Sequence, residues 1–372
     1  MIPMTAHAST IRPRDPDAMW RDMGGDYLRL VPGALRGTTH DSEYTQLCER
    51  EIARRGGRRH ALLCHSGTAA LQISLLALGI GTGDEVICPN YGYVASANQI
   101  RVMGALPRFV DVDAHGHMRV DHIEPLIGPR TRAIVVVGLC GDSPDLARIQ
   151  EIARQHRILM INDAAQSYFG EQASRTVDQY GDVTCYSFGI NKLAHTFCTY
   201  GAVATDDPEL AHRMRLMRTN GKAGRDHDIM HLGVNSKPHE DKALQVSLAL
   251  QRVDSWLARR RQIADRYDRE LDSLGITHRK VAPDCAPTRT MYPVFFQDRD
   301  RAHDLMLADG VQCEKHYRDN FAHTKALSDA HNDSMTGTDT LIRSSLSIPL
   351  HVYLTDDEVS RVIEVVNRHR DA

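Results

Sequence analysis

Short apolar runs punctuate the first two-thirds of the chain, with amphipathic segments between them. His60-Ala61-Leu62-Leu63-Cys64, Glu85 to Pro89, Pro107 to Val112, Arg132 to Gly138, Ile158 to Ile161, Val183 to Phe188 and Gly201 to Ala204 read as strands. Helical spacing fills the gaps from about Ser42 to Arg55 and from Ala69 to Leu78, where Leu71, Leu75 and Leu78 share one side. A further helix opens at Pro144-Asp145, with apolar positions at 146, 149, 152 and 153. Another is capped by Asp207, begins at Pro208 and runs through Met217. Strand and helix in alternation predict an α/β fold, a mostly parallel mixed sheet sandwiched by helices.

The pattern changes after this. Ala243 to about Leu271 is one long helical stretch, with Val253, Trp256, Leu257, Ile263 and Tyr267 on one face. Strands are expected at Met291 to Phe296, Val311 to Lys315 and Ser345 to Leu350, and Thr355-Asp356-Asp357-Glu358 is a capping box for a last helix. This divides the chain into an N-terminal arm and large domain over 1–245, and a linking helix with a smaller α+β domain over 246–372. Residues up to about Gly37 are polar and irregular, suited to an arm or a partner contact, and Gly221 to Lys242 reads as loop.

Composition narrows the function. A net charge of −3, a pI near 6.7 and 25% charged residues give no basic excess for nucleic acid. The densest basic run, Arg54 to Arg59, reads as solvated surface. Eight cysteines lie scattered without a CxxC, several of them (Cys64, Cys88, Cys185) inside strand runs, so buried free thiols are expected. No apolar stretch spans a bilayer and no signal peptide is apparent, which points to the cytoplasm.

The chemistry concentrates between Ile158 and Lys192. Asp163 ends one apolar run, and Lys192 follows four residues after another. Acid and amine at the ends of two buried strands can face one pocket. That pairing suits pyridoxal 5′-phosphate (PLP): the lysine forms a Schiff base with the aldehyde, and the carboxylate pairs with the pyridinium nitrogen. Alone, an Asp at the place of Asp163 is more often a helix cap, and a Lys at the place of Lys192 is usually a solvated loop residue. Upstream, however, strand, Ser66-Gly67-Thr68 turn and helix form an anion-binding arrangement, although Ser66 or Thr68 could simply cap that helix. Asn90-Tyr91-Gly92-Tyr93 places aromatics at a strand's carboxyl end. Gly79 to Asp84 follows a helix and precedes a strand, so it is a turn and not a dinucleotide fingerprint. His115-Gly116-His117 and the pair His227 and His231 lack further ligands at metal spacing, and both read as loop.

These pieces in this order resemble the DegT/DnrJ/EryC1/StrS family of PLP-dependent sugar aminotransferases, of the aspartate-aminotransferase-like fold. The resemblance covers the chain from about residue 42. It rests on Ser66 to Leu71, Gly83 to Ile87, Tyr93 with Asn98, Asp111-Val112-Asp113, Asp163 to Gln166, Ser187-Phe188 with Lys192, Gly233-Val234-Asn235, and Ser347 to His351. It implies that Lys192 holds the cofactor and shuttles the proton, and that Asp163 pairs with the ring nitrogen. Tyr93 would stack on the ring, Gln166 would lie near its phenolic oxygen, and Ser66, Gly67, Thr68 and Ser187 would form the phosphate site. Asn235 would reach that phosphate from the neighbouring subunit, making a homodimer the functional unit. The chain departs from the pattern at Gly138 (a His in the family), at Cys198-Thr199-Tyr200-Gly201 (a glycine-flanked acid), at Lys237 (an Arg) and at Lys242 (a Gln).

The expected reaction is transfer of an amino group from L-glutamate or L-glutamine to a keto-sugar, nucleotide-linked, or to a keto-cyclitol. The alternatives are another PLP reaction on the same fold, such as dehydration or aromatising amine formation, and a catalytically silent binding subunit. Lys192 argues against the dehydrating branch of the first, since those relatives carry His there, and Lys192 with Asp163 argues against the second. Lys222, Arg225, Lys237 and Arg318 are candidate cations for a diphosphate.

Overall fold

The structure is a computed structural model that describes residues 10–36, 43–223, 228–282, 284–327 and 335–372. Seven strands form one sheet: β1 (His60–Cys64), β2 (Glu85–Pro89), β3 (Leu106–Val110), β4 (Thr131–Val137), β5 (Leu159–Asp163), β6 (Val183–Ser187) and β7 (Gly201–Thr205). Their order is β1-β7-β6-β5-β4-β2-β3, and every pairing is parallel except those of β7, which is antiparallel to both neighbours. A second, two-stranded sheet pairs β8 (Tyr292–Phe295) with β9 (Ser345–Ile348). The helices are α1 (Pro16–Arg36), α2 (Glu43–Gly56), α3 (Gly67–Ala77), α4 (Ala95–Val102), α5 (Leu146–His156), α6 (Pro208–Met217), α7 (Glu240–Ser273), α8 (Arg299–Ala308), α9 (Thr336–Ser344) and α10 (Asp356–Arg368).

The apolar runs are continuous because the sheet is covered on both faces. In β4, Ala133, Val135 and Val137 point into a core shared with α3, while Ile134 and Val136 meet Leu146, Ile149 and Ile152 of α5. Toward the other edge, Leu63, Tyr186, Ala202 and Ala204 pack on α2 and the first half of α7. The second half of α7 supplies Ile263, Tyr267 and Leu271 to a separate core with β8, β9 and α10. The capping box at Thr355 and Glu358 is formed. No helix among the described residues is long and apolar enough to cross a membrane.

Three expectations are corrected. The N-terminal stretch is not irregular: residues 16–36 are the helix α1 despite Pro32 inside it. Its glycines and proline hide the helix from propensity, and tertiary contact with α7 overrides them. Arg252 reaches Asp22 and Asp26 at 3.1 and 2.6 Å, and the Trp256 indole donates to Asp22 at 3.1 Å. Val311 to Lys315 is not a strand, because Val311 and Glu314 each make one isolated bridge, to Ile11 and Ser347. Arg58 is not solvated: it is buried, donating to Asp206 at 2.9 Å and to the carbonyls of Asp178 and Tyr180, both at 2.7 Å. His117 lies at a turn, as expected, and is buried against Asp142 at 2.9 Å, where Arg279 joins them. Ser42, Arg225 and His227 lie outside the described residues. All eight cysteines are free thiols, and Cys64, Cys88 and Cys185 are buried as expected.

Candidate active site

The carboxyl ends of β1, β4, β5 and β6 open on a cavity of about 530 Å³, the size of a small-molecule site. At the end of β1 the chain turns at Ser66 into α3. Ser66 is extended, and its hydroxyl accepts the Ala69 N–H at 3.0 Å, so this side chain serves as the helix cap. The N–H groups of Gly67 and Thr68 precede the helix's own ladder and carry the positive end of its dipole. A Cβ on Gly67 would stand 2.9 Å from the Ser187 Cβ, and one on Gly201 would stand 2.4 Å from the Ser66 carbonyl. Glycine at both positions lets β6 and β7 close directly on the turn and leaves its N–H groups clear.

Asp163, the last residue of β5, is 7% exposed and lines the same cavity. Its carboxylate accepts the Ala165 N–H at 3.2 Å. Burial pushes its pKa up to about 6, against the opposing pull of Lys192. Lys192 faces the cavity from the loop after β6, and burial draws its amine below the ordinary lysine range. The neighbouring residues are pinned: Ala194 N donates to the Tyr168 hydroxyl at 2.8 Å, and the His195 ring stacks on Trp256 with centroids 3.7 Å apart. Among the described residues no ion pair joins Asp163 to Lys192, so the two face one space without filling it.

The cavity brings together Ser66, Gly67, Thr68, Tyr93, Asp163, Gln166, Ser187 and Lys192. Tyr93 is 61% exposed at its wall. Asn235 is exposed and does not line it, nor do Lys222, Lys237 and Lys242. The departures have local reasons. A Cβ at Gly138 would meet Ser167 Oγ at 2.1 Å and its Cβ at 2.7 Å, so buried Ser167 excludes a side chain there. Tyr200 is fully buried, its hydroxyl accepting the His239 N–H at 2.7 Å, while Thr199 faces the cavity. Sequence reasoning missed His316 and Tyr317, which line the cavity beside Arg318 from a segment more than a hundred residues downstream. The cluster Lys315-His316-Tyr317-Arg318 was the available signal, masked by the strand reading of Val311 to Lys315.

A cradle for an anion, a buried acid and a desolvated amine on a mostly parallel sheet define a cofactor enzyme of the aminotransferase class. The model of the DegT/DnrJ/EryC1/StrS aminotransferase family matches residues 26–367. The chain belongs to that family and is a PLP-dependent aminotransferase. It is 33% identical over 333 residues to the dTDP-3-amino-3,4,6-trideoxy-alpha-D-glucose transaminase of Streptomyces venezuelae, covering 88% of this chain and 85% of the relative. It is also 33% identical over 334 residues to the GDP-perosamine synthase of Caulobacter vibrioides, covering 86% and 88%. Among solved structures it is similar to S. venezuelae DesV in complex with a ketimine intermediate, with a TM-score of 0.92, 30% identity and coverage of 98% and 99%. It is similar also to NtdA of Bacillus subtilis with bound cofactor PMP, with a TM-score of 0.86, 25% identity and coverage of 98% and 86%.

Proposed function

We propose that this cavity transfers an amino group from L-glutamate or L-glutamine to the keto group of a nucleotide-linked sugar or a cyclitol, with Lys192 as the residue that holds PLP. One observation carries the reading: buried Asp163 and desolvated Lys192 face a single cavity into which the first turn of α3 and Ser187 also open. The residues fit the cofactor. Among the described residues no cation stands at bonding distance from the buried Asp163 carboxylate, and a protonated ring nitrogen would supply one. The N–H groups of Gly67 and Thr68, with the Thr68 and Ser187 hydroxyls, match a phosphate. When bound, PLP supplies the electron sink for a carbanion beside the transferred nitrogen.

The protein's own residues do the rest. Burial lowers the Lys192 pKa, so its amine is neutral more often than a surface lysine and can take a proton from the substrate carbon and return it. Asp163 would keep the ring nitrogen charged, Tyr93 would cover the ring, and Gln166 would lie by its phenolic oxygen, all three lining the same cavity. Asn235, exposed and away from its own chain's cavity, would complete the phosphate site of a neighbouring subunit in a homodimer. Two relatives named for sugars on different nucleotides support a nucleotide-sugar acceptor. Arg318 lines the cavity with no ion pair among the described residues, whereas Lys315 is held by Asp300 at 2.8 Å, so Arg318 is the cation available to a diphosphate. Free thiols suit a reducing cytoplasm.

The test separates the half-reactions. Excess L-glutamate or L-glutamine without acceptor should release a stoichiometric amount of keto acid and bleach the visible band of the holoenzyme. A keto-sugar nucleotide added afterwards should restore the band and gain the amine. If no amino acid releases keto acid while a sugar or cyclitol is still consumed, the reaction is another PLP chemistry.

A further inference from the structure

Tyr317 follows α8 by several residues and lines the cavity together with Asp163, Gln166 and Lys192. Its backbone is held on both sides. Its N–H donates to the Tyr91 hydroxyl at 3.0 Å, and its carbonyl accepts from Arg299 at 3.1 Å. The ring packs edge-on against Tyr91, with centroids 5.5 Å apart at 83°. Among the described residues the phenol has one hydrogen-bond partner, the Gln166 carboxamide, whose Nε2 lies 2.5 Å away.

The direction of that bond is decided at the other end of the carboxamide. Gln166 Oε1 accepts the Cys140 N–H at 3.1 Å, a bond that a backbone donor can make to the amide oxygen and not to its NH₂. The NH₂ group is thereby turned to Tyr317, and it has hydrogens only to give. The phenol oxygen is therefore the acceptor, and its own hydrogen has no protein acceptor among the described residues. Burial, together with neighbouring negative groups that include Asp163, pushes the phenol pKa far up, so the hydrogen stays in place across the working pH range. A buried Tyr O–H normally finds a partner.

We propose that the Tyr317 hydroxyl donates its hydrogen to an oxygen of the ligand in this cavity, either the ring oxygen of the bound cofactor or the keto oxygen of the acceptor. The proposal rests on the aminotransferase reading above. The chemistry shared by the two sources is an electron-rich oxygen without a hydrogen of its own. Gln166 binds the phenol and, on that reading, would lie by the ring oxygen, which favours that source.

Tyr317→Phe keeps the ring and its packing on Tyr91 and removes only the O–H. The holoenzyme is titrated across pH with the visible cofactor band as readout, and both half-reactions are timed. A donor on the ring oxygen draws density from the atom that shares a proton with the lysine nitrogen. Losing it should raise the pKa of the band by about one unit, tenfold in proton affinity. If the keto oxygen is the partner, the band's pKa stays put. The acceptor's kcat/KM then falls about tenfold, as for loss of one hydrogen bond in a desolvated site, and keto-acid release from the donor is unchanged. A variant that changes neither quantity overturns the proposal. Incorporating 3-fluorotyrosine at 317, a more acidic phenol of the same shape, should move the responding quantity the opposite way, and it tests the idea if the Phe variant loads cofactor poorly. A wild-type protein with no visible band attached to Lys192 refutes the cofactor reading instead, so the two failures are distinct.

Discussion

Asp163 is a liability to the protein without its cofactor, and the structure says by how much. Its carboxylate is 7% exposed with no cation at bonding distance among the described residues, and burial raises its pKa from the ordinary 3.8 to about 6. A folded-state pKa above the unfolded one means that no stability is lost below about pH 4. Stability then falls as pH rises through about 6, because the folded state must ionise a desolvated acid. A rise from 3.8 to about 6 amounts to about 3 kcal/mol above that range. Asp163→Asn removes the charge and keeps an oxygen to accept the Ala165 N–H, so the cofactor-free variant should be more stable than wild type at pH 8 by about 3 kcal/mol. At pH 4 the two should unfold nearly together. Urea unfolding of cofactor-stripped protein at the two pH values measures both differences. Adding PLP should reverse the order, stabilising wild type more than the variant, while amino transfer by the variant collapses. A cofactor-free variant that is weaker than wild type at pH 8, by the same margin as at pH 4, would show that Asp163 already has its partner in the fold and is an ordinary structural acid.

Three other outcomes follow. Gly67→Ala should weaken PLP binding about ten- to hundredfold, the loss of a charge-assisted hydrogen bond, because its Cβ would stand 2.9 Å from that of Ser187 and push the cradle open; cofactor titration with the melting temperature as control measures it. Asp142 is buried, which raises its pKa, but Arg279 and His117 outweigh this and hold it at about 2. Asp142→Asn should therefore lose about 2.5 kcal/mol at neutral pH, and the deficit should shrink as pH falls from about 4 through about 2, where the wild-type carboxylate also protonates; denaturant midpoints across pH test this. Mixing inactive Lys192→Ala with Asn235→Ala protein should restore part of the activity if Asn235 serves the neighbouring subunit, and exchange without recovery rejects a shared site.

How much was legible in the chain depended on how local each cause is. The seven strands of the large sheet, the helix cap at Ser66, the capping box at Thr355, and Asp163 and Lys192 at strand ends all follow from periods and turns within a few residues. Burial on both faces of the sheet makes each strand an apolar run, and an acid or amine just past such a run is placed at the carboxyl edge by the strand itself. Tertiary structure alone decided the rest. That α1 is helical despite Pro32 depends on Trp256 and Arg252, over two hundred residues away. That Gly138 carries no side chain depends on Ser167 filling its space, and that Arg58 and His117 are buried depends on partners from Asp142 to Asp206. Tyr317 enters the cavity through contacts with Tyr91, Gln166 and Arg299 that have no trace in its neighbours along the chain. Periodicity reports which face of an element is apolar, whereas a hydrogen bond between distant side chains exists only once packing has excluded water and fixed both partners.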